Sequence, residues 1–228
     1  MKLTPQLISQ APVYVNPEKR LTLNLRDQQA LFIENLDTTN NTYNVIDLTN
    51  NDIIELSGIP ENLDKLETLL LANNNISRVK EVHNEHVRSL SLVNNNVTSL
   101  SQLEPLRHWK LEHLVLLGNK VVQEHNYRLF VVWLVPTLKV LDGEKVKASE
   151  RAEAVELFGE SYEKATPVLD AILSSGAKKP VETKSKQERL AENTVKKLSD
   201  EEKADLLRQL EEAESIEEVE RISAVLKG

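Results

Sequence analysis

The side chains that could do chemistry in this sequence are few, and the closest grouping is a pair of histidines. His83 and His86 stand three residues apart, with Glu81 and Glu85 beside them. An H-x-x-H pair can contribute two zinc ligands, but the chain has no cysteine to complete the set. We therefore predict no metal site and no metal cofactor.

Patterns typical of catalysis are missing from the sequence as well. No serine stands in a G-x-S-x-G motif, and the six glycines form neither G-x-G-x-x-G nor a phosphate loop ending in G-K-S/T. Because nothing assembles an active site, the sequence indicates a binding module rather than an enzyme.

The elements that position the polar side chains are repeats. Four segments (46–53, 69–76, 90–97 and 114–121) align on L-x-L-x-x-N-x-L, and a weaker copy spans 23–30 with Gln28 at the asparagine position. The aligned asparagines are 23, 21 and 24 residues apart: Asn51, Asn74, Asn95 and Asn119. This period predicts an α/β fold, a short leucine-rich repeat solenoid with a parallel sheet on its concave face.

The repeated asparagines have a predicted structural role. An amide side chain has two N–H donors and one acceptor oxygen, so it can bind backbone groups that a turn leaves unpaired. Stacked copies at Asn51, Asn74, Asn95 and Asn119 would form a ladder that links each turn to the next.

Both ends of the solenoid carry signs of caps. Thr4 before Pro5 predicts a helix through about Gln10 that shields the first repeat. At the other end, residues 125–141 predict a helix with Leu129, Val132 and Trp133 on its apolar face, followed by a strand-like piece over 138–142. A further helix is expected from Val146 to about Phe158, with Val155 and Phe158 on one side.

The rest of the chain predicts a linker and a second helical element. We expect a repeat domain over 1–158, a loosely structured linker over 159–198 and a helical hairpin over 199–228. Ser199 with Glu202, and Ser215 with Glu218, have the spacing of capping boxes, and each precedes an amphipathic stretch.

The outward-facing positions of the strands are the predicted binding surface. Alternation along a strand turns them away from the core, onto the concave face where solenoids usually bind partners. The early repeats present the polar residues Asn24, Arg26, Asp47 and Thr49, and a later one presents Ser91. The remaining positions form an apolar strip: Leu70, Ala72, Val93, Val115 and Leu117. An exposed strip of this kind predicts a partner, although the chain's own C-terminal segment is an alternative occupant.

Composition limits the classes of partner. The net charge is −8, and residues 148–228 carry 19 acidic and 13 basic side chains. A surface of this sign does not bind nucleic acid alone by neutralising phosphates. The sequence has no run of 18 apolar residues and no apolar signal segment at its start, so we expect no membrane association. The lack of cysteine favours a reducing compartment.

Longer stretches resemble a known family. The segment YRLFVVWLVPTLKVLDGEKVKASER resembles the cap of SDS22-like repeat proteins, with Tyr127, Arg128, Pro136, Leu141 and Asp142 matching its pattern. The openings KLTPQLISQAP and LNLRDQQALFIENL, and the ending SIEEVERISAVLKG, resemble the U2 small nuclear ribonucleoprotein A-prime family, and its asparagine-rich fungal members in particular.

That resemblance implies a nuclear, non-catalytic adaptor in pre-mRNA splicing. Members of the family bind the RRM protein B-double-prime, one helix of which lies in the concave groove, and the pair recognises stem-loop IV of U2 snRNA. Other spliceosomal subunits are further implied partners. On this basis Arg26, Lys145 and Lys147, at the two ends of the groove, are our candidates for contacts with the RNA backbone. The alternative is a regulatory subunit of a phosphatase or another enzyme, although that class has roughly twice as many repeats.

Overall fold

A computed structural model describes residues 2–82 and 84–175, and its main feature is an eight-stranded sheet in the order β1-β2-β3-β5-β7-β8-β9-β10. Antiparallel strands β1 (Val13–Val15) and β10 (Glu144–Lys145) form its edges. The six central strands run parallel: β2 (Leu21–Asn24), β3 (Val45–Asp47), β5 (Thr68–Leu70), β7 (Ser89–Ser91), β8 (His113–Val115) and β9 (Val140–Leu141). One parallel strand per repeat confirms the predicted leucine-rich repeat solenoid.

Short elements return the chain along the opposite side of each repeat. They include a two-stranded parallel sheet of β4 (Glu55–Leu56) and β6 (Arg78–Val79). The others are 3-10 helices, at Leu36–Thr39, Leu100–His108 and Lys120–Gln123. A further 3-10 helix, Tyr162–Lys164, lies after the last strand of the sheet. In solenoids of this class the main sheet lines the concave face.

The core lies between the main sheet and the return segments. The strand register aligns one aliphatic residue per repeat, and each of these is almost completely buried: Leu23, Ile46, Leu69, Leu90, Leu114 and Leu141. Leu71, two residues after Leu69, is also fully buried, whereas Leu70 between them is half-buried on the other face. The alternation predicted for a strand therefore places the repeat leucines in the core.

The asparagine ladder consists of bonds between neighbouring turns. Asn95 donates from Nδ2 to the carbonyls of Leu71 (2.8 Å) and Leu92 (3.1 Å), and its Oδ1 accepts from the Ile76 N–H (2.9 Å). Asn51, Asn74 and Asn119 make equivalent bonds. Gln28 differs, since its amide nitrogen donates to the nearby Arg26 carbonyl (2.7 Å).

A second row of asparagines precedes the ladder and was not anticipated. Asn50, Asn73 and Asn94 all have positive φ, between 53° and 64°, and Gly118 continues the row with φ of 78°. Asparagine adopts this left-handed conformation more readily than most residues. The N-N pairs therefore turn the chain with their first asparagine and bind the backbone with their second.

The N-terminal cap is helix α1 (Pro5–Gln10). Its N-cap Thr4 accepts a bond from the Leu7 N–H at 3.2 Å, as predicted. Leu3 and Ile8 are buried against the first repeat. The helix therefore shields the open end of the core.

The C-terminal cap is built around α2 (Tyr127–Leu134) and α3 (Ala148–Phe158). The Tyr127 hydroxyl donates to Asp142 Oδ2 at 2.7 Å, and Asp142 Oδ1 accepts from the Leu116 N–H at 2.7 Å. Arg128 Nε donates to Glu150 at 2.6 Å. Asp142 thus takes over the role of a ladder asparagine, and the Arg128–Glu150 pair ties α2 to α3.

Three details of this cap differ from the sequence predictions. The buried side of α2 includes Phe130, Val131 and Leu134 as well as Val132, whereas Leu129 is only half-buried. Val155 was predicted to lie with Phe158 on an apolar side, but it is 42% exposed while Phe158 is fully buried. The apolar spacing of α3 was misjudged because the small Ala154 supplies the second contact.

The predicted start of the linker at residue 159 is too early. Helix α4 (Pro167–Ser175) follows α3, and its Leu169 is fully buried in the repeat core. Trp133 Nε1 donates to the Gly159 carbonyl at 2.7 Å, and the Trp133 and Tyr162 rings lie 4.9 Å apart. The ordered repeat unit therefore extends through α4.

Several predictions fall outside the described residues. They concern the remainder of the linker, 176–198, and the helical hairpin at 199–228. Among the residues that are described, no helix is both long enough and apolar enough to cross a membrane.

Candidate partner-binding surface

The strand register arranges the outward side chains of the sheet in rows. One row runs through Thr22, Val45, Thr68, Ser89 and His113, and the next through Asn24, Asp47, Leu70, Ser91 and Val115. A third row follows two residues further along each chain segment, at Arg26, Thr49, Ala72, Val93 and Leu117. The side chains of the concave face therefore form a grid, in which each column is one strand and each row contains the equivalent position of every repeat.

The later repeats bring the predicted apolar strip together. Four of its members are half-buried and Leu117 is 46% exposed: Leu70, Ala72, Val93, Val115 and Leu117. Neighbouring parallel strands are about 4.8 Å apart, so these side chains form a continuous surface across three repeats. Ser91 lies within the strip and is also half-buried.

The early repeats form a polar end with an unexpected internal arrangement. Arg26 is exposed and lies 3.5 Å from Asp47, whose Oδ1 also accepts from the Thr49 N–H at 3.0 Å. Asp47 and Thr49 were predicted to face a partner, but both are buried. Asn24 is half-buried, and its Oδ1 accepts from the Arg26 N–H at 3.1 Å. Asn24 and Asp47 therefore fix the backbone and side chain of Arg26. Arg26 is the group of this set that is exposed to solvent.

The three candidate RNA-contacting cations lie at opposite ends of the sheet. Arg26 follows β2, whereas Lys145 lies in β10 and Lys147 immediately precedes α3. Both lysine side chains are exposed. The cap fixes their backbone, since Arg128 Nη2 donates to the Lys145 carbonyl at 3.3 Å and Glu150 accepts from the Lys147 N–H at 2.7 Å.

The cap that carries these lysines is held by a coupled pair of charges. The hydrogen bond from Arg128 lowers the pKa of Glu150 below its usual value, against the opposing effect of burial, and the same bond raises the pKa of Arg128. Burial, together with the bond to the Asp142 carboxylate, raises the pKa of Tyr127. At neutral pH, Tyr127 is therefore a neutral donor and Arg128–Glu150 an ion pair.

The histidine pair His83 and His86 was considered above as a source of metal ligands. His86 Nε2 lies 3.4 Å from Asp64, and His83 is outside the described residues. In the part of the chain that the structure describes, no three His, Cys, Asp or Glu side chains are grouped closely enough to hold a metal ion.

A parallel sheet with one strand per repeat, an asparagine ladder and a cap at each end define a protein of the leucine-rich repeat class. The sequence model of the family described as "Leucine-rich repeat" matches residues 1–168.

More specific relatives share nearly the whole length. The chain is 43% identical to U2 small nuclear ribonucleoprotein A′ of Candida albicans over 230 residues, covering 100% of this chain and 98% of the relative. It is equally identical, at 43%, to the protein of that name in Debaryomyces hansenii, covering 99% and 98% of the two chains. The chain belongs to the U2 small nuclear ribonucleoprotein A′ family of leucine-rich repeat proteins.

A solved structure agrees with this family. The crystal structure of the Drosophila melanogaster SNF/U2A′ complex contains a chain that superposes with a TM-score of 0.67 at 38% identity. The match covers 76% of the chain described here and 99% of the Drosophila chain.

Proposed function

We infer that this chain is a non-catalytic component of the nuclear U2 snRNP that binds an RRM protein of the B-double-prime class in its concave face. The observation that carries this proposal is the match to a protein whose structure was solved as a complex with SNF, over 99% of that protein's chain. The half-exposed apolar strip supports it, because a solvated apolar surface on a folded domain marks a site of association.

The dimensions of the concave face suit a helix. Six parallel strands at about 4.8 Å give a trough about 24 Å wide, and a helix with its side chains is about 10–12 Å across. A helix lying across the strands would place its apolar side on Leu70, Val93 and Val115 and its polar end near Arg26. The trough therefore has room for one helix.

The charge of the chain assigns the reading of RNA to the partner. A net charge of −8 opposes binding to a polyanion, whereas the sheet of an RRM stacks and hydrogen-bonds single-stranded bases. Arg26, Lys145 and Lys147 are then local cations beside the bound partner, where they contact the backbone of stem-loop IV of U2 snRNA. The adaptor positions the RRM and adds these phosphate contacts, and its outer surface is available to other spliceosomal subunits.

Two acidic substitutions test the proposal. Leu70→Glu and Val115→Glu each place a carboxylate in the apolar strip, where burial without a partner charge is unfavourable. We expect both variants to fold and to lose co-purification with the RRM protein and U2 snRNA. Val155→Glu is the matched control, because Val155 is 42% exposed on α3 and lies outside the concave face.

The readouts are immunoblotting for the RRM protein, quantitative PCR for U2 snRNA and circular dichroism for the fold. If both folded strip variants recover partner and RNA as the control does, the concave-face assignment is wrong.

A further inference from the structure

The N-terminal edge of the sheet has an open side. Within the described residues, β1 pairs with β2 along one edge and no strand covers its other edge. The Asn24 N–H donates to the Pro12 carbonyl and the Asn16 N–H donates to the Arg20 carbonyl, both at 2.9 Å. Since backbone groups alternate in direction along an antiparallel pair, residues 12, 14 and 16 face β2. The N–H and C=O groups of Val13 and Val15 therefore face the open side.

The two edges of the sheet differ in chemistry. At the C-terminal edge, β10 carries Glu144 and Lys145, and charged side chains of this kind protect an edge from pairing with another strand. At the N-terminal edge, Val13, Tyr14 and Val15 are 45%, 44% and 63% exposed. This edge has no charged side chain in its strand, but it is short and Pro12 and Pro17 limit its length. The edge is therefore open to the addition of a strand only over Val13–Val15.

The open edge is continuous with the concave face. Tyr14 is paired with Thr22, and Thr22 is paired with Val45. Because directly paired residues lie on the same face of a sheet, Tyr14 begins the row that ends at His113. Tyrosine is one of the residue types enriched among the energetic anchors of protein interfaces once it is buried by a partner. Thr22 and Val45, which separate Tyr14 from the later members of this row, are 1% and 3% exposed. Tyr14 therefore borders the concave grid, and a protein seated on the grid has to extend past these two residues to contact the edge.

The small size of the edge identifies the occupant. The three residues of β1 offer only four outward backbone groups, whereas independent specific interfaces bury about 1,200–2,000 Å². A segment that is tethered by a second contact does not need to bury so large an area itself, because tethering raises its effective concentration. A second copy of this chain has no such tether.

We propose that the open edge of β1 binds an extended segment of the RRM protein by strand addition. This is the same RRM protein whose helix occupies the concave face. The segment carries β-branched or aromatic side chains that pack beside Val13, Tyr14 and Val15. This proposal rests on the proposed function, and it extends the partner-binding surface beyond the five repeats.

The test compares two substitutions at one edge position in the full chain. Val15→Pro removes the outward N–H while leaving every bond to β2, since proline is tolerated where a strand's N–H faces outward. Val15→Thr keeps the N–H and the branched side chain. Binding of the purified RRM protein from the same organism is measured by titration calorimetry. Amide exchange of Val13 and Val15 is followed by NMR, free and in the complex.

We expect Val15→Pro to bind about five- to tenfold more weakly than Val15→Thr, as for the loss of about one backbone hydrogen bond. We also expect the Val13 and Val15 amides to be protected only in the complex. Equal affinities of the two variants overturn the proposal, as do unprotected amides in the complex. Protection already present in the free chain also overturns it, because a segment of this chain would then occupy the edge.

Failure of the proposed function is a separate result. It would appear as a wild-type chain that does not bind the RRM protein, or as undiminished binding by Leu70→Glu. Loss of binding in Leu70→Glu, together with equal affinities of the two Val15 variants, overturns strand addition alone.

Discussion

Replacing Asn95 by alanine tests the ladder, and its effect follows from the bonds that Asn95 makes. The Ile76 N–H loses the acceptor that it bonds at 2.9 Å, in a buried position. The carbonyls of Leu71 and Leu92 each lose one donor but keep a bond from the neighbouring ladder asparagine. An orphaned buried donor costs about 1–3 kcal/mol and each of the other lost bonds about 0.5–1.5 kcal/mol. We therefore expect a loss of about 3 kcal/mol in the free energy of unfolding.

The assay is urea unfolding, supported by thermal melting, in which 3 kcal/mol corresponds to a fall of about 6–12 °C for a chain of this size. Asn94→Gly is the control: Asn94 is exposed and has φ of 53°, a conformation that glycine adopts freely. We expect the control to change the free energy of unfolding by less than about 1 kcal/mol. If Asn95→Ala were no more harmful than Asn94→Gly, the ladder would not be a stabilising network.

Two further predictions concern the turns and the cap. A Cβ at Gly118 would lie 2.0 Å from Asn94 Oδ1 at φ of 78°, so Gly118→Ala should destabilise the chain by about 1–3 kcal/mol in urea unfolding. In an Asn94→Gly background the side-chain clash should be relieved, and the loss should be smaller but not zero, because the positive φ and a 3.0 Å contact with the backbone nitrogen of residue 94 remain. Because the Arg128 bond lowers the pKa of Glu150 below the ordinary value of 4.5, it contributes stability above that pH that is lost as the pH falls through the lowered pKa. In Arg128→Met, urea midpoints measured below about pH 4.5 should therefore depend less on pH than in the wild type, and an unchanged dependence would contradict the coupling.

The repeat period was sufficient to predict the fold because every repeat buries the same leucine positions and makes the same turn. Leucines spaced by two residues fix the strand and its buried face, and an amide every 21 to 24 residues fixes the turn. The outward rows followed from alternation alone. The repeat pattern alone therefore specifies which strand positions face the concave side.

Exposure within that grid could not be predicted from alternation. Asp47 and Thr49 occupy outward positions, yet both are buried, and Asp47 interacts with Arg26 and the Thr49 backbone. Burial at such positions depends on which neighbouring side chains are long enough to cover them, and that is a property of the assembled sheet. Tyr14 was missed for a related reason, since its place in the first row depends on an antiparallel hairpin outside the repeats.

The C-terminal boundary was misplaced because the sequence from Gly159 has weak local signals. Helix α4 contains two serines and begins at a proline, and only Leu169 among its described side chains is fully buried, with Ile172 and Leu173 partly buried against the core. Gly143 follows Asp142 at the β9–β10 hairpin, where both residues have positive φ, and a two-residue turn of that type favours Asp-Gly.

The most direct test of the central claim is the affinity of the purified full chain for the purified RRM protein, measured by titration calorimetry. We expect Leu70→Glu to weaken binding about 100-fold or more, as for a charge placed in a desolvated apolar contact. We expect the folded control Val155→Glu to bind as the wild type does. Equal affinities of the wild type, Leu70→Glu and Val155→Glu would contradict the assignment of the concave face as the partner-binding surface.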